Sequence, residues 1–412
     1  MDTYDFTVIG EVCLDYLEKK PPRPGGAFYS AYAGRQLGAK TTIVGHMGNE
    51  DEKLIVDFLE QYEIPDKYLQ RVPGPTTRYM LYHVDEVLPL SVNFKKNRYP
   101  IKMPNTFPIS DVVLFYPYLH LDTYINQYSD SLKGLDVQYD IDLVLGLENL
   151  SQIDILFIST SDVLSYTKKS FQEILDLFFK KGVKIIVTKF GQGGSSIYRQ
   201  KESRIDIPSF QSNYQFTVGA GDVFNAVFLV TYHNTKDLEL SGLSAAAAAS
   251  VFIESFDFRS TPWNLQEEIK SRRKQFIHPE QAQKIKIYLA GPFFSDGERY
   301  MVSQTYHALK KCGFSLFSPW HEDGIVPRLA VKSFKKNINA IKEATLIVAL
   351  LDYEDPGTVW ECGYAYALNK PIYAIQTCTN SFNLMVNLST ELTCESLRCL
   401  IDYLYEKYGK VK

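Results

Sequence analysis

The sequence predicts two α/β domains in tandem, each built on a largely parallel sheet with helices packed against it. Three observations predict this. Short apolar, β-branched runs alternate with amphipathic segments along most of the chain, the pattern of strands joined by crossover helices. At 412 residues the chain is too long for one ordinary domain and suits two or three. Between residues 259 and 284 the alternation stops; this stretch is polar and charged, carries Pro262 and Pro279, and gives way to a fresh apolar run at Lys286.

In the first half, Phe6–Gly10, Thr42–Val44, Val112–Phe115, Ile155–Ile158 and Lys184–Val187 are short apolar runs without polar alternation, as expected of strands buried on both faces. Tyr29–Leu37, Glu52–Tyr62 and Tyr166–Lys181 carry helical periodicity between them. Ala226–His233 and Leu243–Ile253 read as two further apolar helices, the alanine run allowing close packing. Trp263–Phe276 is expected to be the last helix of a domain spanning 1–277, and 278–284 a linker. The domain at 285–412, about 130 residues and near the modal size, repeats the alternation. Its expected strands are Lys286–Ala290, Ser315–Ser318, Leu346–Leu351 and Pro371–Ile375; its expected helices are Gly297–Cys312, Lys332–Ala344, Thr358–Leu368 and Cys394–Tyr408. There is no internal repeat and no low-complexity tract.

Composition narrows the function classes. With 45% hydrophobic and 22% charged residues the chain is globular rather than disordered. A net charge of −4 argues against a nucleic-acid partner. The basic run Lys270-Ser271-Arg272-Arg273-Lys274 lies beside Glu267 and Glu268 and reads as a solvated helix face. The N-terminus is acidic and runs straight into a strand, unlike a signal peptide. The longest apolar run, Ala245 to Ile253, is interrupted by Ser250 and is too short to span a bilayer. Six cysteines without a Cys-x-x-Cys pair predict neither a zinc site nor a disulfide framework, so no protein-bound metal and a reducing cytoplasm are expected.

Gly219-Ala220-Gly221-Asp222 stands at the start of a helix. Small residues there let backbone N–H groups approach an anion, and the helix N-terminus favours negative charge. Asp222 could take the proton of a substrate hydroxyl while the amides of Gly219, Ala220 and Gly221 hold the transferred phosphoryl group. Alone, the tetrapeptide is also a tight turn. Further segments accompany it: Gly25-Gly26 through Leu37-Gly38, Thr42 through Asp51, and Lys189-Phe190-Gly191-Gln192-Gly193-Gly194. Together, over roughly residues 5–275, they resemble the PfkB (ribokinase-like) kinase family. The resemblance implies a ribokinase-like α/β sandwich and ATP- and Mg2+-dependent phosphorylation of a sugar or nucleoside hydroxyl. It implies Asp222 as the base, Asp15, Gly25 and Gly26 around the acceptor, and Lys189, Gly191 and Gly194 at the nucleotide. The sequence departs from the family pattern at Phe216 and Val218, which replace an Asp, often a helper in holding a monovalent cation, and a Thr. It departs again at Ser159-Thr160-Ser161-Asp162, where Asn-x-x-Glu is usual, and at Tyr29, near a common Asn.

Glu361 follows a Gly-Thr turn early in a helix, and Asp355 lies six residues before it, on the loop leaving an apolar strand. Alone, Glu361 could simply complement the helix dipole. Ligands of open α/β sheets gather at the carboxyl ends of strands, and Ala290-Gly291-Pro292-Phe293-Phe294 also leaves one. Two carboxylates there suit attack at an anomeric carbon. Ile287 through Phe294, Phe317-Ser318-Pro319, Asn337 through Ile341, Val348 through Asp352, and Asp355 through Ala367 with Lys370-Pro371 resemble the nucleoside 2-deoxyribosyltransferase family. The resemblance implies a smaller flavodoxin- or Rossmann-like domain that needs no cofactor. Glu361 would be the nucleophile, Asp355 would hold or protonate the nucleobase, and Tyr288, Gly291 and Pro292 would line the pocket. Asn383 would reach a sugar hydroxyl across a subunit interface, implying a homo-oligomer. Thr345 stands where relatives carry an Asp. His321 and Glu322 lie on a loop over the expected site.

The reading that absorbs both signatures is a bifunctional nucleoside- or nucleotide-metabolising enzyme. One domain breaks or exchanges an N-glycosidic bond; the other transfers phosphate to a sugar or nucleoside. The alternative makes the kinase-like domain a nucleotide sensor controlling a nucleotide- or NAD-depleting N-glycosidase. A scaffold would require both carboxylate sites to be vestigial. Small molecules, and neither nucleic acid nor membrane, are the expected partners.

Overall fold

The computed structural model describes residues 2–17, 20–81, 91–95, 102–138, 141–159, 169–213, 216–255, 257–326, 330–352, 355–378 and 384–409. Thr160, Ser161, Asp162, Asn383 and the expected helix start at 166–168 lie outside the described residues. The chain divides into two compact units whose main boundary falls between Phe276 and Ile277.

The first unit opens with β1 (Thr3–Ile9), β2 (Val12–Leu17), β3 (Arg23–Gly26), α1 (Ala27–Gln36) and β4 (Thr41–Gly48). Next come α2 (Glu52–Gln61), β5 (Leu69–Val72), β6 (Arg78–Leu81), β7 (Ser91–Lys95), β8 (Ile109–Phe115), α3 (Leu121–Gln127), β9 (Leu132–Asp136) and α4 (Ile141–Leu145). The rest are β10 (Ile155–Ser159), α5 (Phe171–Lys180), β11 (Ile185–Lys189), β12 (Ser195–Arg199), β13 (Ile205–Ile207), β14 (Ser209–Phe210), α6 (Ala220–Thr235), α7 (Leu238–Phe252), α8 (Leu265–Ser271) and β15 (Lys274–Gln275).

Nine strands form the main sheet in the order β13-β12-β11-β10-β9-β8-β1-β4-β5. It is parallel from β11 through β5, with antiparallel β12 and β13 at one edge. Both faces are covered, which explains the unbroken apolar runs. Along β10, Ile155 and Phe157 face the core shared with α1, α6 and α7, whereas Leu156 and Ile158 face the core shared with α3 and α5. A second sheet, β3-β2-β6-β7, was not expected from the sequence. Its strands include Pro24, Gly25 and the buried Asp15, none of which signals a strand.

The second unit contains α9 (Pro279–Ala282), β16 (Lys286–Ala290), α10 (Asp296–Lys311), β17 (Ser315–Phe317), α11 (Pro319–Glu322), α12 (Val331–Glu343) and β18 (Leu346–Leu350). It ends with α13 (Pro356–Ala367), β19 (Ile372–Ile375), α14 (Leu384–Ser389), β20 (Leu392–Cys394) and α15 (Leu397–Tyr408). Its sheet, β17-β16-β18-β19-β20, is parallel throughout. Again the strands are buried on both sides: Ile287 and Leu289 enter one core, Tyr288 and Ala290 the other. Segment 278–284 carries α9, and Ala282 belongs to this unit's core.

Three expected helices are corrected. Trp263–Phe276 yields only α8, because Arg272 adopts extended backbone and Lys274 and Gln275 pair with Phe210 and Ser209. Arg272 is no solvated face either: its guanidinium meets both oxygens of Glu254 at 2.6 and 2.8 Å and Glu268 at 2.5 Å. α5 begins at Phe171, where Ser170 and Glu173 form a reciprocal capping box. The last helix begins at Leu397 under a Ser396 cap, and Cys394 ends a strand instead.

Candidate active sites

In the first unit β2 and β3 set Asp15 opposite Arg23. Asp15 is buried, and burial pushes its carboxyl up, opposed by a hydrogen bond from Tyr29 and by the Arg23 charge. Tyr29 Oη donates to Asp15 Oδ2 at 2.5 Å, and Arg23 Nε donates to Tyr29 Oη at 3.1 Å. A Cβ on Gly25 would fall 2.4 Å from Asp15 Oδ2, so only glycine lets this carboxylate lie against β3; Gly26 caps α1 at φ 59°. The Arg23 guanidinium is stacked 4.2 Å from the Phe216 ring centroid and 5.1 Å from those of Tyr29 and Phe258. Phe216, where an acid was expected, thus serves as a platform for an arginine.

Gly219 opens α6 with φ 90°, and a Cβ there would lie 2.8 Å from the Tyr29 ring. The ring therefore packs directly on the Gly219-Ala220-Gly221-Asp222 turn. Asp222 is half-buried in the first turn of α6. Its carboxyl is pushed up to about 7, chiefly by burial and then by the Asp136 charge; a hydrogen bond from Tyr116 and the Lys189 charge pull the other way. Ser30 Oγ, 2.6 Å from the Tyr116 hydroxyl, donates to the Asp222 carbonyl at 2.9 Å.

Lys189 ends β11, and the turn after it uses positive φ at Gly191 (58°) and Gly194 (92°). Its ammonium lies 3.1 Å from Asp136 Oδ2 and 3.0 Å from Asn225 Oδ1, and Asn225 Nδ2 donates to Asp136 Oδ2 at 2.6 Å. A Cβ on Gly221 would lie 3.4 Å from the same ammonium. A cation, a glycine turn and a helix N-terminus thus converge, an arrangement that fits a phosphate. Among the described residues no group of three or more His, Cys, Asp or Glu could hold a metal ion.

In the second unit Tyr288, fully buried on β16, donates to Glu361 Oε1 at 2.6 Å. Phe317 stacks on Tyr288 at 5.5 Å between centroids. Burial pushes the Glu361 carboxyl up to about 7; the Tyr288 bond opposes this and the Asp355 charge adds to it. Asp355 caps α13, its Oδ2 accepting from Thr358 N at 2.7 Å and Thr358 Oγ1 at 2.9 Å, with Pro356 in the first turn. Gly291 and Pro292 follow the carboxyl end of β16, where a Cβ on Gly291 would meet Leu350 at 3.1 Å. Asp352 ties down the loop after β19 by accepting from Thr377 N and Oγ1, both at 2.6 Å.

The structure also places Thr345, His321 and Glu322. Thr345 stands at the amino end of β18, hydrogen-bonded to Lys286, whereas Asp355 and Glu361 follow its carboxyl end. His321 stacks on Tyr306 at 3.7 Å, and burial, with His307 and Lys310, pushes it down to about 4; Glu322 pairs with Lys336. Sequence reasoning missed Arg23, Ser30, Tyr116, Asp136 and Asn225. Asp136 had a signal, as an acid at the carboxyl end of a strand, and Asn225 lies one helical turn beyond Asp222.

Comparison with known proteins divides the chain at the same place. A pfkB family carbohydrate kinase model matches residues 137–264, and a Nucleoside 2-deoxyribosyltransferase model matches residues 287–397. The chain fuses a PfkB-type region to a nucleoside 2-deoxyribosyltransferase-type region. The PfkB match encloses Lys189 and Gly219–Asp222 but not Asp15 or Gly25; the transferase match encloses Tyr288, Asp355 and Glu361. An uncharacterized sugar kinase of Archaeoglobus fulgidus is 23% identical over 252 residues, covering 54% of this chain and 95% of that one. A nucleoside kinase of Methanocaldococcus jannaschii is 39% identical over 82 residues, 20% of this chain and 26% of that one. Among solved structures, ribokinase from Thermotoga maritima superposes with a TM-score of 0.53 at 20% identity, covering 65% of this chain and 98% of its own. Ribokinase from Arabidopsis thaliana, complexed with ribose and ATP, gives 0.52 at 23%, covering 65% and 99%. These structures establish a ribokinase-like fold for the PfkB-type region. No helix among the described residues is long and apolar enough to cross a membrane.

Proposed function

We propose that the second unit breaks the N-glycosidic bond of a nucleoside or its 5′-monophosphate, and that the first transfers phosphate from ATP to a sugar or nucleoside hydroxyl. The observation that carries the glycosidic reading is the 2.6 Å bond from Tyr288 to Glu361. It holds one carboxylate oxygen and leaves the other to attack. In this reading Glu361 attacks the anomeric carbon, forming an ester while the C–N electron pair leaves with the base, which Asp355 holds or protonates. Water or a second base then attacks the same carbon and frees Glu361. In the first unit Asp222 accepts the acceptor's hydroxyl proton, and Lys189 with the Gly219–Gly221 amides receives the phosphates. Mg2+, bound together with the nucleotide, would neutralise charge on the phosphates.

We further assign a homo-oligomer to the second unit, with Asn383 reaching the sugar of the neighbouring copy; the exposed Trp360, Phe334, Leu384 and Met385 support this. The six unpaired thiols fit a reducing cytoplasm. A second reading, a nucleotide-sensing first unit controlling a nucleotide- or NAD-depleting glycosidase, is favoured by the Tyr29 bond that already engages Asp15. The test is a mass-spectrometric screen of nucleosides, monophosphates and NAD, with and without ATP. Base release lost in Glu361→Ala and phosphate gain lost in Asp222→Asn support the first reading; ATP binding without any phosphate gain supports the second.

A further inference from the structure

The feature of the first unit that the proposed activity leaves unused is Tyr29. Its hydroxyl donates to Asp15 at 2.5 Å and accepts from Arg23 Nε at 3.1 Å. A sugar hydroxyl bound to Asp15 would make the same pair of bonds with the same polarity. The ring fills the space between that carboxylate and the glycine turn, lying 2.8 Å from where a Gly219 Cβ would be, and the whole side chain is only 1% exposed.

We propose that Tyr29 is the specificity-determining residue of the first unit, an internal occupant of the acceptor position that any hydroxyl-bearing acceptor must displace from Asp15. The proposal rests on the assignment of Asp15 to the acceptor. Displacement removes the Tyr29 donor from buried Asp15, leaving the weaker thiol donor Cys13 at 3.7 Å, and removes one acceptor from Arg23 Nε; losing hydrogen bonds in a buried site is costly. An incoming hydroxyl restores both bonds but must also move the ring out of its packing with Phe252 and Phe258, whose centroids lie 5.6 and 6.0 Å away. Small acceptors such as free pentoses are therefore disfavoured, whereas nucleotide binding at Lys189 and the Gly219–Gly221 turn does not require the exchange.

The test is calorimetric titration of the full chain, with ADP present, by D-ribose and by adenosine. Tyr29→Gly and Tyr29→Asn are compared with wild type and with Tyr29→Phe, thermal unfolding reporting that each is folded. The expected result is at least about tenfold tighter binding of one probe by Tyr29→Gly or Tyr29→Asn. Tyr29→Phe, which keeps the ring, shows no gain. Wild type binding both probes as tightly as the shortened variants overturns the proposal, as does an equal gain in Tyr29→Phe. ATP turnover measured with the same proteins separates the two readings. Acceptor binding without phosphate transfer removes the kinase activity and leaves the Tyr29 assignment standing; equal binding by wild type removes the Tyr29 assignment whatever the turnover.

Discussion

Asp222 and Glu361 are both half-buried carboxylates near a helix start, both pushed up to about 7, and they arrive there in different company. Asp222 stands in a crowd: burial and then Asp136 push it up, while Tyr116 and Lys189 pull it down. Among the described residues, Glu361 has the hydroxyl donor Tyr288 and the nearby acid Asp355. A shared end value thus hides opposite sensitivities. Burial is the chief cause in both; at Glu361 it is opposed by one hydrogen bond, whereas at Asp222 further charges act in both directions.

The sharpest way to break the comparison is to remove each carboxylate in turn. Glu361→Ala is expected to lower base release at least about 10³-fold while leaving phosphate transfer intact, because a nucleophile has no substitute. Asp222→Asn should lower phosphate transfer about 10²- to 10⁴-fold and spare base release. Chromatography of released base and of ADP reads both. Tyr288→Phe comes next. The Tyr288 hydroxyl stabilises the charged form of Glu361, so its loss raises that carboxyl further above about 7. In the proposed mechanism the nucleophile is the charged form, so the acid limb of the pH–rate profile should move to higher pH, with roughly tenfold loss at neutral pH and recovery in base. Asp136→Asn works in the other direction. Asp136 raises Asp222, so neutralising it lowers that carboxyl and moves the acid limb of phosphate transfer to lower pH, by about one unit or less. The smallest effect belongs to Thr345→Asp. That exposed residue lies at the far end of β18, so base release should stay within about twofold of wild type.

What was legible in the sequence follows from what is local. Strands such as Ile155–Ser159 announce themselves because both faces are buried, and the two glycine-bearing signatures announce themselves because a tight turn next to a helix start needs small residues. The β3-β2-β6-β7 sheet was not legible, since Arg23-Pro24-Gly25-Gly26 carries no strand preference and is held by its pairing with β2. Asp136 escaped for a related reason. It acts on Lys189 and Asn225, 53 and 89 residues further along the chain, and only folding brings them within hydrogen-bonding distance. Arg23 and Tyr29 became informative only when the structure set both against Asp15.

One side chain in the second unit has two employments. Asp355 starts α13 by accepting from Thr358, and in the proposed reaction it also engages the departing base. In that proposed reaction a ligand that competes for Asp355 Oδ2, the oxygen that accepts both Thr358 bonds, also loosens the first turn of α13, the helix that carries Glu361. A substitution at Asp355 consequently perturbs the scaffold and the ligand contact together. Amide exchange at Thr358 separates the two, because it follows the helix start and not the chemistry.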